Sequence, residues 1–383
     1  MANMTRGDWN DGLKPFAMRP AAKSPPARRR KWFAPGCLLP AKRPVGVFDT
    51  QRRALAHRSY PLAGILLCLI LAGGIAQAAP QVIRPGEVWH DTAGRIIQAH
   101  GAGMLQAGKT YYWFGEDKTQ GSPFQNVTCY SSTDLAHWAF CGNMLTRQGV
   151  GDLGPNRVVE RPKVIFNRTT RTYVMYLHID SPNYGEAKVG VATSKTVTGP
   201  YTYLGSFRPL NHQSRDMTLF QDTDGTDYLV FEDRQRGVCL AELAPDGLSV
   251  AREAALIPHA YEAPAVVKVQ GLYYLLGSHL SGWNTNPNQY ATAPTMAGPW
   301  SDFKNVAPPK TKTYDSQTAY ILPIRGSKTT SYVYVGDRWK PRSLADSRYI
   351  WLPLMISNGA MSVAPDQPWS IDTKTGIIKT KTP

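Results

Sequence analysis

The most regular hydrophobic pattern along the chain is a short, aromatic-rich segment that recurs five times after residue 80. Each copy begins with a turn residue, continues with alternating apolar and aromatic residues, and ends near a glycine or an acidic residue. Such segments have the length, the composition and the flanking turns of short β-strands. The copies centre on tyrosines spaced by 62, 55, 45 and 59 residues, namely Tyr111, Tyr173, Tyr228, Tyr273 and Tyr332.

Repetition at about the length of a propeller blade predicts an all-β fold, a five-bladed β-propeller. A β-sandwich is the competing fold, but it would not explain five similar units. In a propeller the innermost strands of all blades meet at one axial pocket. Functional side chains are therefore expected from distant segments of the chain.

The first 79 residues differ in composition from the rest of the chain. A basic, Pro/Arg-rich stretch is followed by an apolar run over 62–75 and by Ala76-Gln77-Ala78, which is the order of a secretory signal peptide. We predict a leader over 1–60, disordered or produced by a start codon assigned too early. Two segments follow this leader: a signal-peptide hydrophobic region with its cleavage site over 61–79, and a catalytic propeller over 80–383.

The apolar run is short for a membrane span. We therefore expect a secreted or periplasmic protein with no stable membrane association after cleavage, and an uncleaved signal anchor is the alternative. The formal charge of +15 is mostly a property of the leader, because residues 1–79 contain 13 Lys/Arg and 3 Asp/Glu, whereas the remainder contains 30 and 25. No basic stripe interleaved with aromatic residues follows, so we predict no nucleic-acid binding.

Three of the five cysteines lie outside the leader. Cys129 and Cys141 fall in adjacent predicted strands, so a cross-strand disulfide is expected in an oxidising compartment, with two buried thiols as the alternative. Cys239 has no evident partner and is expected in the core. No spacing typical of a zinc site is present.

Polar residues with catalytic potential stand where the inner strand of each predicted blade begins. Such convergent carboxylates suit glycoside cleavage, in which one acid protonates the leaving oxygen and a second group handles the water or the anomeric carbon. Crowding also raises carboxyl pKa values. The alternative is a set of polar residues that only make turn hydrogen bonds. The five positions are His100, Glu160, Asp216, Glu262 and Gln317.

A second group of residues is predicted to contact a sugar. Glu116 could bind hydroxyl groups, and Tyr184, Trp283 and Asn284 lie in predicted loops after inner strands, where they could stack on or hydrogen-bond a sugar ring. Packing within the loops is the alternative. We interpret the Glu-Asp pair at 232–233 as a blade-closing pair.

Several of these motifs together resemble glycoside hydrolase family 43. The segment 215–225 resembles the third-blade motif of that family, and Glu-Ala-Pro at 262–264 resembles its fourth-blade Glu-Gly-Pro. Glu-Arg-Pro-Lys-Val at 160–164 and Tyr-Asp-Ser-Gln at 314–317 resemble its exo-β-1,3-galactanase branch. The similarity covers about residues 84–375.

The resemblance implies an inverting hydrolase with Glu262 as general acid and Asp216 as the carboxylate that orients and tunes it. The general-base Asp of the wider family is absent, because His-Gly-Ala-Gly stands at 100–103. The galactanase branch shares this departure, and there the counterpart of Gln317 holds the attacking water as an imidic acid. Chemistry alone favours Glu160 as the base, because an amide is a poor one, so both assignments stay open.

The function that the resemblance implies is exo-acting release of galactose from the β-1,3-galactan of arabinogalactan-type polysaccharides. No cofactor is required. An axial metal ion near His100 would be compatible with the fold, although no ligand spacing indicates one. The alternatives are an α-L-arabinofuranosidase or β-xylosidase of the same fold, and a carbohydrate-binding propeller without catalysis.

Overall fold

The computed structural model describes residues 81–380. The predicted leader and signal peptide therefore lie outside the described residues. Between residues 81 and 380, no helix is long and apolar enough to cross a membrane.

Short antiparallel strands make up nearly all the regular structure. The strands are β1 (Val82–Ile83), β2 (His100–Ala107), β3 (Thr110–Glu116), β4 (Asn126–Ser132), β5 (Ala139–Thr146), β6 (Val158–Asn167), β7 (Thr172–Asp180), β8 (Lys188–Ser194), β9 (Thr202–Phe207), β10 (Met217–Gln221), β11 (Asp227–Asp233), β12 (Gly237–Leu243), β13 (Val250–Ile257), β14 (Tyr261–Val269), β15 (Leu272–His279), β16 (Gln289–Ala293), β17 (Lys304–Asn305), β18 (Gln317–Arg325), β19 (Thr330–Arg338), β20 (Arg348–Ser357), β21 (Ala360–Val363), β22 (Trp369–Asp372) and β23 (Ile377–Thr380). Within residues 81–380, helical structure is limited to one short helix, α1 (Lys312–Asp315), and to 3₁₀ turns at Pro209–Asn211, Pro309–Thr311 and Leu344–Asp346.

These strands form six sheets of a β-propeller, so the predicted count of five blades is wrong. Five sheets have four consecutive strands each, beginning at β2, β6, β10, β14 and β18, and a sixth has the order β1-β22-β23. The sixth sheet escaped prediction because its strands have only two to four residues and come from opposite ends of the described chain. None of them carries the aromatic repeat.

The first strand of each four-stranded sheet contacts the first strands of the neighbouring sheets, and together these strands surround the axis. In four of the five sheets the pairing of this strand with the next is interrupted close to its start, as between Glu160 and Lys163 and between Glu262 and Ala265. Such bulges change the direction of side chains and recur beside active sites. The backbone has positive φ at Arg161 (51°) and Ala263 (56°) within two of them.

Apolar side chains fill the spaces between neighbouring sheets. The largest core cluster lies where the first, fifth and sixth sheets meet, and Trp113, Trp351 and Trp369 are fully buried there. The ring centroids of Trp113 and Trp351 are 4.7 Å apart. Bulky aromatic burial of this kind is worth several kcal/mol per cluster, so it holds the first and last repeats together.

The predicted disulfide is absent from the structure, in which Cys129 and Cys141 are both free thiols. Cys129 on β4 pairs with Gly142, and Cys141 falls at the adjoining register shift on β5. The thiols interact with each other, and this hydrogen bond lowers the pKa of Cys141 to about 6. Burial raises the pKa of Cys129 well above its usual value. Cys239 is buried in the core, as expected.

Candidate active site

A cavity of about 310 Å³ opens where the inner strands of the five four-stranded sheets begin. Its lining is mostly charged and aromatic, and every four-stranded sheet contributes to it. The lining residues are Glu116, Glu160, Arg161, His178, Asn183, Tyr184, Arg215, Asp216, Glu232, Arg234, Glu262, Gly282, Trp283, Gln317 and Trp339.

The surroundings of Glu262 favour the protonated form of its carboxyl group. The residue is 4 % exposed on β14, and oxygens of Glu262, Asp216 and Glu232 lie within 4.8 Å of one another. Burial, followed by the charges of Asp216 and Glu232, raises the pKa of Glu262 to about 8. A carboxylic acid that still holds its proton near neutral pH can act as a proton donor.

Asp216 connects this acid to the neighbouring blade. Its Oδ2 accepts a hydrogen bond from the backbone N–H of Ala263, next to Glu262, at 3.1 Å. The same oxygen lies 2.8 Å from Nε of Arg161. Asp216 therefore fixes the strand start that carries Glu262 and places a negative charge beside it.

The amide of Gln317 has all four of its hydrogen-bonding positions occupied by protein groups. Nε2 donates to Oε1 of Glu262 at 2.9 Å and to Oγ of Ser278 at 3.0 Å. Oε1 accepts from Nη2 of Arg161 at 2.6 Å and from the indole N–H of Trp339 at 2.9 Å. Both neighbours of Oε1 can only donate, so the orientation of the amide is defined.

Glu160 is the strongly ionised carboxylate of the cavity. Its oxygens meet Nζ of Lys118 at 3.3 Å, the hydroxyl of Tyr184 at 3.1 Å and Nδ1 of His178 at 3.4 Å. Burial alone would raise the pKa of Glu160, but Lys118 and His178 outweigh it and hold the pKa at about 2. His178 is itself protonated: burial lowers its pKa, and hydrogen bonds to Asp180 and Glu160 overcome this and raise it to about 9.

Glu116 occupies the side of the cavity that belongs to the first sheet. Its Oε2 lies 2.7 Å from Nζ of Lys118, and its Oε1 accepts the backbone N–H of Arg161 at 2.8 Å. Gly101 leaves the room for this carboxylate, because a Cβ there would lie 2.0 Å from Oε1 and the backbone has φ of +61°. The His-Gly-Ala-Gly stretch thus makes space for Glu116.

Seven of the nine predicted catalytic and binding residues therefore line the cavity, Gln317 and six others, and two do not. The six others are Glu116, Glu160, Tyr184, Asp216, Glu262 and Trp283.

His100 and Asn284 are not among the residues that line the cavity. His100 is fully buried, pairs through Nδ1 with Asp337 at 2.8 Å and stacks on Tyr349 at 4.8 Å. Asn284 is exposed and bonds to the Ser281 carbonyl within its own turn. Trp283, in the same loop, instead meets the edge of Trp339 at 4.8 Å.

The sequence reasoning missed most of the basic residues of the site. Arg161, His178 and Arg215 looked like ordinary strand or flanking residues. Glu232, interpreted as part of a blade-closing pair, lines the cavity. Glu232 and His178 lie near the end of the second strand of their sheets, and Glu116 lies at the end of the second strand of its own sheet. Glu116 was predicted to bind sugar, so the equivalent positions in the other repeats could have been predicted in the same way.

Two groups of side chains have the geometry to hold a metal ion, Glu160 with His178 and Asp216, and Asp216 with Glu232 and Glu262. The two ring nitrogens of His178 lie 3.4 Å from Glu160 and 3.0 Å from Asp180. Asp216 is paired with Arg161. These groups are therefore arranged for hydrogen bonding, and the hydrolysis that paired carboxyl groups perform needs no cofactor.

Comparison with known proteins agrees with this geometry. Residues 98–326 match the model for glycosyl hydrolases family 43. No curated protein matches the chain. Among solved structures, a variant of the exo-β-1,3-galactanase from Phanerochaete chrysosporium with β-1,3-galactotriose is 45% identical, with a TM-score of 0.75, over 78% of this chain and 70% of that one.

Two bacterial structures are also similar. An exo-β-1,3-galactanase from Clostridium thermocellum is 38% identical with a TM-score of 0.75, over 79% of this chain and 69% of that one. A putative exo-β-1,3-galactanase from Bifidobacterium bifidum is 38% identical with a TM-score of 0.72, over 74% and 96%. The family predicted from the sequence motifs is confirmed: the chain belongs to glycosyl hydrolase family 43 and is a glycosidase.

Proposed function

We propose that this glycosidase acts from the chain end on β-1,3-galactan of arabinogalactan-type polysaccharides and releases galactose with inversion. The observation that carries the proposal is that Glu262 and Glu160 line one cavity in opposite surroundings, Glu262 among other carboxyl groups and Glu160 beside a lysine and a histidine. Carboxyl groups whose pKa values are pushed apart by their surroundings divide the acid and base roles between them. The substrate follows from the relatives, whose names describe action on β-1,3-galactan.

Glu262 donates its proton to the glycosidic oxygen as the bond to the anomeric carbon breaks. Asp216 keeps the acid aligned through the Ala263 N–H and discourages its ionisation by like charge. Once the proton has left, the new carboxylate of Glu262 is stabilised by the N–H of Gln317 at 2.9 Å. The surroundings of Glu262 therefore stabilise both the protonated and the ionised form of its carboxyl group.

Glu160 orients the attacking water and accepts its proton. Glycoside hydrolysis has an oxocarbenium-like transition state, so the water needs orientation more than prior deprotonation, and a weakly basic carboxylate suffices. Gln317 is assigned to positioning instead. Its Oε1 already accepts two hydrogen bonds, from Arg161 and Trp339, so this oxygen has no place for the O–H of an imidic acid.

The dimensions of the cavity suit a single terminal sugar. A volume of about 310 Å³ lies at the lower end of the range for small-molecule sites. Trp283 and Tyr184 supply aromatic surface, and Glu116 supplies an acceptor for sugar hydroxyl groups. Such a pocket favours attack at a chain end.

The location of the enzyme is proposed from the sequence of its first 79 residues. We expect a secreted or periplasmic enzyme without stable membrane association and without nucleic-acid binding. Amino-terminal sequencing of the protein from its native host should find a mature start near residue 79. An intact hydrophobic segment in the membrane fraction would contradict this expectation.

The function is tested by incubating the full chain with β-1,3-galactan and with arabinoxylan, beside Glu262→Gln as the matched inactive control. We expect release of galactose from galactan and its loss in the variant. Arabinose or xylose from arabinoxylan would identify another specificity of the same fold. Tight galactan binding by both proteins without any release would identify a binding propeller.

A further inference from the structure

A buried lysine joins three parts of the active-site wall. Lys118 follows β3, and its side chain is 2 % exposed. Its Nζ lies 2.7 Å from Oε2 of Glu116 and 3.3 Å from Oε1 of Glu160, and 5.3 Å from the ring centroid of Trp283. These partners belong to the first, second and fourth sheets, and all three line the cavity.

The surroundings of Lys118 account for each donor that an ammonium group has. An ammonium carries three N–H donors and no acceptor, and burying it is costly unless those donors are satisfied. Two carboxylates and the face of an indole meet this requirement, because the π-face carries negative charge. Lys118 itself is not among the described residues that line the cavity, so its partners stand between it and a bound sugar.

We propose that Lys118 is a positioning residue of this hydrolase, which holds the carboxyl groups of Glu116 and Glu160 at fixed separation and supports Trp283 against the bound sugar. The proposal rests on the proposed roles of Glu116, Glu160 and Trp283. Its physical core is the contact of one buried cation with two carboxylates that come from different blades.

Removal of this cation changes the charge balance at Glu160. Lys118 is the largest of the influences that lower the pKa of Glu160. The other groups that act on this carboxylate are His178, Tyr184 and the neighbouring carboxylate of Glu116. Without Lys118, the pKa of both carboxyl groups would rise, because burial raises the pKa of each and Lys118 opposes that rise. The enzyme would then need a higher pH to reach its active protonation state.

The test compares Lys118→Met and Lys118→Gln with Lys118→Arg in the full chain. Lys188→Met is the matched control, because Lys188 also pairs with a glutamate at 2.8 Å but lies outside the cavity. We expect the Met and Gln variants to lose about 10²-fold in kcat/KM on β-1,3-galacto-oligosaccharides, the scale of a general acid–base contribution. The acidic limb of their pH profiles should move up by about one pH unit or more. Lys118→Arg should retain the wild-type profile, and Lys188→Met should match wild type.

A titration that needs no substrate separates this proposal from the proposed function. In ¹³C-carboxyl NMR spectra of glutamate-labelled protein, Lys118→Met and Lys118→Gln should move the titrations of Glu116 and Glu160 to higher pH than in wild type and in Lys188→Met. Unchanged carboxyl titrations in a folded variant would overturn the proposal, whatever the substrate. So would a loss of activity without a shift in the acidic limb, because that pattern indicates packing alone.

Discussion

Replacement of Glu262 by glutamine is the perturbation that the structure specifies most completely. Glutamine keeps the shape of the side chain and a hydrogen-bonding group near Gln317, but it cannot release a proton. The acid lies against Asp216 and Glu232, and these charges together with burial raise its pKa from 4.5 to about 8. The variant therefore removes both a proton donor and an unfavourable buried ionisation.

Two consequences follow for activity. Loss of a general acid costs about 10²- to 10⁴-fold in rate when the leaving group needs protonation. In wild type the active form is the protonated one, so kcat/KM should fall as pH rises through about 8, and this basic limb should vanish in the variant. A substrate whose leaving group departs without a proton should be cleaved with a much smaller loss.

A third consequence concerns stability: the substitution that lowers activity should raise the free energy of unfolding at high pH. Because the pKa of Glu262 is raised on folding, its contribution to wild-type stability is fully present below pH 4.5 and is lost as pH rises through about 8. At pH values well above 8, the difference between the ordinary pKa of 4.5 and the pKa of about 8 in the folded protein corresponds to a loss of roughly 5 kcal/mol in the free energy of unfolding. Glu262→Gln should therefore be the more stable protein above pH 8, by up to a few kcal/mol.

The assay compares β-1,3-galactobiose with a series of aryl β-galactosides whose phenols span a range of acidity, for wild type and Glu262→Gln. The variant should show a steep dependence of rate on leaving-group acidity and wild type a shallow one. Urea unfolding at several pH values gives the stability comparison. An equal loss on every substrate, or an unchanged basic limb, would refute the assignment of Glu262 as the acid.

Three further predictions concern the groups around this acid. Asp216→Asn removes a like charge, so the pKa of Glu262 should fall and the basic limb of kcat/KM should move down by about one pH unit. A basic limb that stays in place would argue against a role of the Asp216 charge in raising the pKa of Glu262. Trp339→Phe removes one of the two donors to Gln317 Oε1, and because a lost buried hydrogen bond costs about 1–3 kcal/mol, we expect roughly tenfold lower kcat with little change in KM. Steady-state kinetics in which substrate binding and turnover are weakened equally would contradict this prediction. Glu160→Gln should reduce kcat on activated and natural substrates alike, because water is needed for both, and a loss confined to the natural substrate would place Glu160 on the leaving-group side.

The repeat of hydrophobic and aromatic residues was sufficient to predict the strands and the convergence of distant carboxyl groups. Glu160, Asp216, Glu262 and Gln317 all reach one cavity because each begins or precedes an inner strand. The sixth sheet could not be predicted in the same way. Its short strands gain stability from Trp369, which packs into a core shared with distant sheets, and local pattern does not reveal such packing.

Sequence position was also insufficient to say which way a side chain points. His100 begins β2 just as Gln317 begins β18, yet His100 turns into the core against Tyr349 and Asp337. Both strands have a register shift close to this position, so the start of the strand does not by itself distinguish the two directions.

The buried cations were the larger omission. Lys118, Arg161 and His178 are unremarkable in sequence, because basic residues are usually exposed. Only the folded arrangement shows that Lys118 and Arg161 meet carboxylates from other blades and that His178 meets Glu160 of its own blade. Their presence explains how five carboxyl groups can share one cavity of about 310 Å³.

The most direct test of the whole account is ¹H NMR of the first sugar released by the full chain from β-1,3-galactan. An inverting enzyme that attacks the chain end should release galactose that appears first as the α-anomer and then mutarotates. Initial release of β-galactose would contradict the separate roles of Glu262 and Glu160. Release of internal oligosaccharides in place of galactose would contradict attack at the chain end.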